Sequence, residues 1–223
     1  HDAKLNLIDS PGYADFVGEV RSAVSVSEGA VIVVAATAGI EVGTELTWGY
    51  ADSAHLSRFI FVSKMDRENA NFLKVVEQFR ARYGNKCVPV QLPIGAHTDF
   101  KGIIDLLTMK SFSDATSQGG AVPAELMAKA QEMRSQMVEA VAETDDALME
   151  KYLGGEELSE AELAEGLKKA AVGGKIVPIL AGSGLQNIGA RELLDAIVSL
   201  MPSPLERPIP IAEDSPIKEA GLS

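Results

Sequence analysis

Asp9, Pro11 and Gly12 close one apolar run, and Ser63, Lys64 and Asp66 close another. Residues of these types at strand ends have a defined chemistry. A carboxylate such as Asp9 can hold magnesium through water, because magnesium keeps several waters and takes one or two carboxylates plus phosphate oxygens. Gly12 carries no side chain, so its N–H can approach a γ-phosphate closely. Asp66 can accept from the ring N–H and the exocyclic amine of guanine at once, in a charge-assisted pair that adenine cannot offer. The Lys64 stem can cover the face of that base. A third motif, Ala181-Gly182-Ser183-Gly184, is small enough for its backbone N–H groups to reach the guanine carbonyl oxygen. Each motif alone has an ordinary reading, since Asp, Pro and Gly suit turns and a Lys–Asp pair suits a solvated loop. The order of the three, each behind its own apolar run, is what reads as a guanine-nucleotide site. No Gly-x-x-x-x-Gly-Lys-Ser/Thr loop, the usual phosphate cradle, occurs among the 223 residues.

Four short apolar runs are expected to be the buried parallel strands that position these motifs: residues 4–8, 30–36, 58–62 and 176–180. Runs apolar on both faces are typical of parallel strands covered by helices. Helical spacing separates the first three. It is carried by Phe16, Val20, Ala23 and Val24, then by Leu46, Tyr50, Ala51 and Ala54, then by Phe72, Val75, Val76, Phe79 and Tyr83,. A last helix follows through Leu193, Leu194, Ile197 and Val198 and closes at Pro202,. This alternation predicts an α/β fold with a doubly wound, mostly parallel sheet, in which ligands bind at the carboxyl ends of strands.

The stretch from Asp66 to Ser183 is too long for one crossover, which needs about 30 residues. An inserted α+β subdomain is therefore expected at 85–174, inside a nucleotide-binding domain formed by 1–84 and 175–204, with 205–223 as a linker toward a further domain. Residues 88–112 read as strands and turns. Residues 114–122 read as a short flexible Ser/Gly linker. Leu126, Ala130, Met133, Met137 and Val141 line one face of a long helix, and Ser159–Glu162 has capping-box form.

Net charge is −12, and twelve of the 32 acidic residues fall in 125–165 against three basic ones. Such a surface does not hold naked nucleic acid by charge, so no direct nucleic-acid binding is expected and a protein is the expected contact. The single cysteine, Cys87, excludes an intrachain disulfide framework,. No apolar run reaches membrane-spanning length and no signal peptide opens the chain, so no membrane partner and a cytoplasmic setting are expected. His1, His55 and His97 lack metal spacing and read as solvated. Cys87 reads as a structural thiol, and Trp48 and Tyr50 as packing residues.

With its motifs in this order, the chain resembles the GTP-binding domain of bacterial elongation factor G, a translational GTPase, in a divergent, paralogous form. The segment 9–19 (DSPGYADFVGE) is similar to the family's DTPGHVDF. Residues 39–48 (GIEVGTELTW), 61–66, 88–109 (VPVQLPIGAHTDFKGIIDLLTM) and 176–189 also look like family segments. The resemblance implies a P-loop-NTPase-like GTPase fold. It also implies GTP or GDP with magnesium as ligands, and action on the ribosome in the translocation step of elongation. The acidic insert would face the ribosomal stalk protein. Asp9 (through water to magnesium) and Gly12 would serve the γ-phosphate end. Lys64 and Asp66 would hold guanine, with Ser183, Gly184 and Leu185 along its oxygen. Ser63 stands where the family has Asn, and Gly184 where it has Ala. Tyr13 takes the catalytic position of the family's His, and a phenol of pKa about 10 is a poor base at neutral pH. The family's phosphate loop, first switch and first two strands would precede His1, so the fold is expected to be truncated at its N-terminus. By itself the chain is expected to bind GTP weakly or not at all and to lack GTPase activity. A non-hydrolysing, ribosome-associated guanine-nucleotide-binding module, or a ribosomal protection or release-factor GTPase, is the alternative.

Overall fold

Three of the four expected parallel strands form. In the computed structural model, which describes residues 3–12, 14–113 and 118–206, the chain runs α1 (Val17–Val26), β1 (Gly29–Ala35), α2 (Val42–Ser53), β2 (Ser57–Ser63), α3 (Phe72–Tyr83) and β3 (Cys87–Pro89). It continues with β4 (Gln91–Ile94), β5 (Gly102–Asp105), β6 (Lys110–Phe112), α4 (Ala124–Ala142), α5 (Asp146–Leu153) and α6 (Glu160–Val172). It returns through β7 (Val177–Ala181) and ends on α7 (Ala190–Leu200). One sheet is parallel, in the order β1-β2-β7-β3, and the other is antiparallel, in the order β4-β5-β6. The α/β class with a parallel sheet is the expected one.

The fourth run departs from expectation. Residues 4–8 form no strand and lie in exposed coil, with Leu7 73% exposed. A strand needs a ladder to satisfy its backbone, and among the described residues β1 pairs only with β2. The run's apolar character marks a segment suited to burial without supplying its neighbour. β1 is also less covered than its two apolar faces predict. Ile32 and Val34 are buried, but Val33 is 63% exposed, because α1 packs on α2 and contributes no buried residue of its own.

Elsewhere packing follows sequence periodicity closely. α3 starts at Asn71, whose side chain accepts from the Lys74 N–H at 3.0 Å, and buries Phe72, Val75, Val76 and Phe79. Each such side chain contributes roughly 1.5–3 kcal/mol on leaving water. The buried face of α2 is turned from the one expected: Thr44, Trp48 and Ala51 go inward, while Leu46 stays exposed. Trp48 sets that rotation. Its ring stacks on Tyr83 at 3.8 Å, and the Arg58 guanidinium lies 4.8 Å from it. Tyr50 is half-buried, with Arg21 5.5 Å from its ring.

Within the stretch expected to be inserted, β3 pairs with β7 as an edge of the parallel sheet. The remaining strands and α4–α6 follow it. Ala130, Met133, Met137 and Val141 of α4 are buried, and the Ser159–Glu162 capping box forms at the start of α6. Of the stretch read as a linker, residues 114–117 lie outside the described residues, while Gly120 bridges to Ser111 and Val122 is buried. One apolar core runs from the parallel sheet through β4, β5, α4 and α6. Two buried bonds lock the sheets together. The Val90 N–H donates to Ile179 O at 3.1 Å, and the Ala181 N–H donates to the Gln91 side chain at 3.0 Å.

Candidate nucleotide-binding site

β2 and β7 are neighbours and parallel, so the loops that follow them emerge side by side. Backbone bonds knit these loops together. The Gly182 N–H donates to Val62 O at 3.0 Å, and the Met65 N–H donates to Gly182 O at 3.2 Å. Met65 is buried and anchors the first loop, leaving Lys64 exposed and Asp66 turned toward the second. Lys64 takes a φ of 61°, in the left-handed region that non-glycine residues seldom occupy,. Such conformations persist where surrounding structure holds them, and they cluster at functional sites.

Asp66 is the centre of this arrangement. Its side chain is 8% exposed, and its Oδ1 accepts from the Ser183 hydroxyl at 2.5 Å. Arg67 Nε lies 3.7 Å from the other oxygen. Ser183 is fully buried, and its Oγ in turn accepts from the Gln186 N–H at 3.2 Å. Paired backbone bonds between Ser183 and Ile188, at 2.9 and 3.1 Å, close the loop over residues 184–187. Gly182 is required here, since a Cβ would sit 2.6 Å from both Ile188 O and the Phe61 ring. Gly184 is not: a Cβ there would meet nothing within 4 Å, so the alanine of the resembling family would fit. Leu185 is exposed at the rim. Ser63 is half-buried, and its carbonyl accepts from the Ala36 N–H at 2.8 Å, tying the end of β2 to the end of β1.

The structure thus brings Ser63, Lys64, Asp66, Ser183, Gly184 and Leu185 to one sheet end. It does not bring Asp9 and Gly12 there. Both lie in exposed coil, Asp9 beside Gly18, Glu19 and Ser22 of α1, and Gly12 with its carbonyl close to Gly43 of α2. No hydrogen bond or ion pair among the described residues joins them to the two loops. Tyr13 lies outside the described residues.

The residues fit guanine well. A nearly buried carboxylate, oriented by a buried hydroxyl, faces a loop whose glycine permits close backbone approach. They supply less for magnesium. Asp9 is one exposed carboxylate, and among the described residues no group of three or more His, Cys, Asp or Glu side chains could hold a metal ion. Cys87 is a buried structural thiol, its pKa pushed up to about 11 by burial. Among the described residues no helix is long and apolar enough to cross a membrane.

Reading from sequence misses the contacts of His97. It is exposed, as its spacing implies, but its backbone N–H donates to Met65 O at 2.9 Å and its ring Nδ1 lies 3.0 Å from Arg67 O. Gln91, which holds the last N–H of β7, is missed as well. No spacing rule announces either residue, since both act across the fold on distant backbone.

A parallel sheet bearing these loops at the carboxyl ends of its strands is the architecture of a GTPase-type α/β domain. The family model of the elongation factor Tu GTP binding domain matches residues 1–203, and the chain belongs to that family. A crystal structure of a Thermus thermophilus protein is similar, with a TM-score of 0.82 and 35% sequence identity over 89% of this chain and 30% of that one. This chain therefore spans about 30% of the length of that relative.

Proposed function

We propose that this chain is the guanine-reading part of an elongation factor G-like translational GTPase, a protein that binds GTP and GDP and acts on the ribosome during translocation. The observation that carries the reading is Asp66, held by Ser183 across two strand ends. With Lys64 covering the base and residues 183–185 along its oxygen, the site selects guanine through Asp66. Two charge-assisted hydrogen bonds contribute about 1.5–3 kcal/mol each. That sum, about 3–6 kcal/mol, corresponds to a Kd between about 6 mM and about 40 μM before the cost of association is subtracted, so the 223 residues alone bind the nucleotide weakly. In GTP hydrolysis by the whole protein, Asp9 would hold magnesium through water and Gly12 would stand at the γ-phosphate. Residues 1–84 and 175–204 form the nucleotide-binding unit in this reading. The acidic helices of the insert, within 85–174, face the ribosomal stalk protein. The setting is the cytoplasm.

Tyr13 favours a second reading, a ribosome-associated module that binds guanine nucleotide without efficient turnover. Ribosome-stimulated hydrolysis by the whole protein, with and without Tyr13→His, separates the two.

The guanine assignment is tested by titrating the chain with GDP, ADP and xanthosine diphosphate. The parent is expected to prefer GDP over ADP about tenfold or more, the discrimination that one charge-assisted hydrogen bond supplies. Asp66→Asn replaces a paired acceptor with an amide that can donate to the xanthine carbonyl, so the preference moves to xanthosine diphosphate. Equal affinity for GDP and ADP in the parent would refute the assignment.

A further inference from the structure

We infer that His97 is a positioning residue that fixes the guanine-reading loop, acting from the inserted hairpin on the two carbonyls that flank Asp66. The inference rests on the guanine reading of Asp66 given above. The geometry is specific. Asp66 lies between Met65 and Arg67, and both neighbours present their carbonyl oxygens to one residue. Met65 O accepts from the His97 backbone N–H at 2.9 Å, and Arg67 O lies 3.0 Å from His97 Nδ1. A carbonyl oxygen only accepts, so Nδ1 must carry the proton. His97 itself sits at a φ of 58°, in the left-handed region, at the start of a short 3-10 turn (His97–Asp99). Gly95, two residues earlier, has a φ of 76° and could not carry a Cβ, which would stand 2.0 Å from Asp99 O. The backbone of the β4–β5 connection is thus bent tightly, and its bend delivers His97 to the loop.

The consequence is a division of labour around one carboxylate. Ser183 orients the Asp66 side chain from the loop after β7. His97 holds the Asp66 backbone from the hairpin, which β7 anchors through Gln91. Loss of the imidazole releases the Arg67 carbonyl on one side of Asp66, while the backbone donor still holds the Met65 carbonyl on the other.

The test uses the full chain and has a readout that needs no nucleotide. Long-range proton–nitrogen correlation spectra of the free chain report which ring nitrogen is protonated, and the expected result is the Nδ1–H form in neutral His97. Three variants then separate the imidazole from the backbone. His97→Gly keeps the backbone donor and tolerates the positive φ but removes the ring. His97→Gln moves the side-chain donor beyond the Nδ1 position. His97→Asn places an amide nitrogen where Nδ1 stands, on a residue that also tolerates the left-handed region. Gly and Gln are expected to speed amide exchange around Arg67 and to weaken GDP binding roughly 2- to 10-fold, the loss that follows from one neutral hydrogen bond. Asn is expected to restore both. An Nε2–H tautomer, parental exchange and affinity in His97→Gly, or an Asn variant that behaves as the Gly variant would each overturn the inference. If the parent shows no preference for GDP, the guanine reading fails, and the tautomer and exchange results still decide whether His97 holds the loop.

Discussion

Asp66 and Ser183 stand 117 positions apart in sequence and touch in the fold. Each reads as a site residue only through the order of the three motifs, because each motif alone suits an ordinary turn. The hydroxyl-to-carboxylate bond is not legible, because it depends on β2 and β7 being neighbours. The two glycines beside Ser183 show how differently similar residues can matter. At Gly182 an added methyl would meet Ile188 O and the Phe61 ring, whereas at Gly184 it would meet open space. Gly182→Ala should therefore lower stability by about 1–3 kcal/mol, the usual cost of overpacking. Gly184→Ala should stay within about 0.5 kcal/mol of the parent. Urea denaturation of both variants checks the contrast, and equal effects would contradict it.

Elements are legible where periodicity and burial agree, as in α3 with its Asn71 cap and its buried Val75, Val76 and Phe79. They are less legible where a neighbour decides. Residues 4–8 carry the apolar character of a strand yet form none, since pairing depends on a partner and not on composition. The buried face of α2 follows the Trp48–Tyr83 stack, a contact between two helices that no local pattern contains. α7 carries a prediction of its own. Its first turn holds Glu192, which is buried; that burial, with smaller contributions from Asp195 and Asp105, pushes its carboxyl above the usual range, against its own N–H and Arg191. A raised carboxyl binds its proton more tightly folded than unfolded, so stability falls as pH rises through the interval between the unfolded and folded values. Glu192→Gln is expected to raise the urea midpoint at about pH 7, above that interval, and to leave it near the parent's at about pH 3, below it. An unchanged midpoint at neutral pH would show that the carboxyl ionises in the folded chain without penalty.

For the molecule as a whole, the alternation of strand and helix is enough to give the α/β class, and the long Asp66–Ser183 interval is enough to announce additional structure. Its junction is not readable, because β3 looks like the strands after it and belongs to the sheet before it. The core is continuous across that junction, so unfolding should be cooperative. The single tryptophan, Trp48, is buried against the parallel-sheet helices and reports on that part alone. Its fluorescence and the far-ultraviolet circular dichroism, to which α4–α6 contribute nearly half of the described helix, are expected to change together in urea,. Separate transitions would mean that the insert is an independent unit. The most direct test of the central claim is an amide chemical-shift map of the full chain titrated to millimolar GDP, with ADP as the comparison. Perturbations centred on residues 63–67 and 182–186 are expected with GDP, near-silence there with ADP, and no saturation at micromolar concentrations. Identical maps for GDP and ADP, or a response that leaves Asp66 and Ser183 untouched, would contradict that claim.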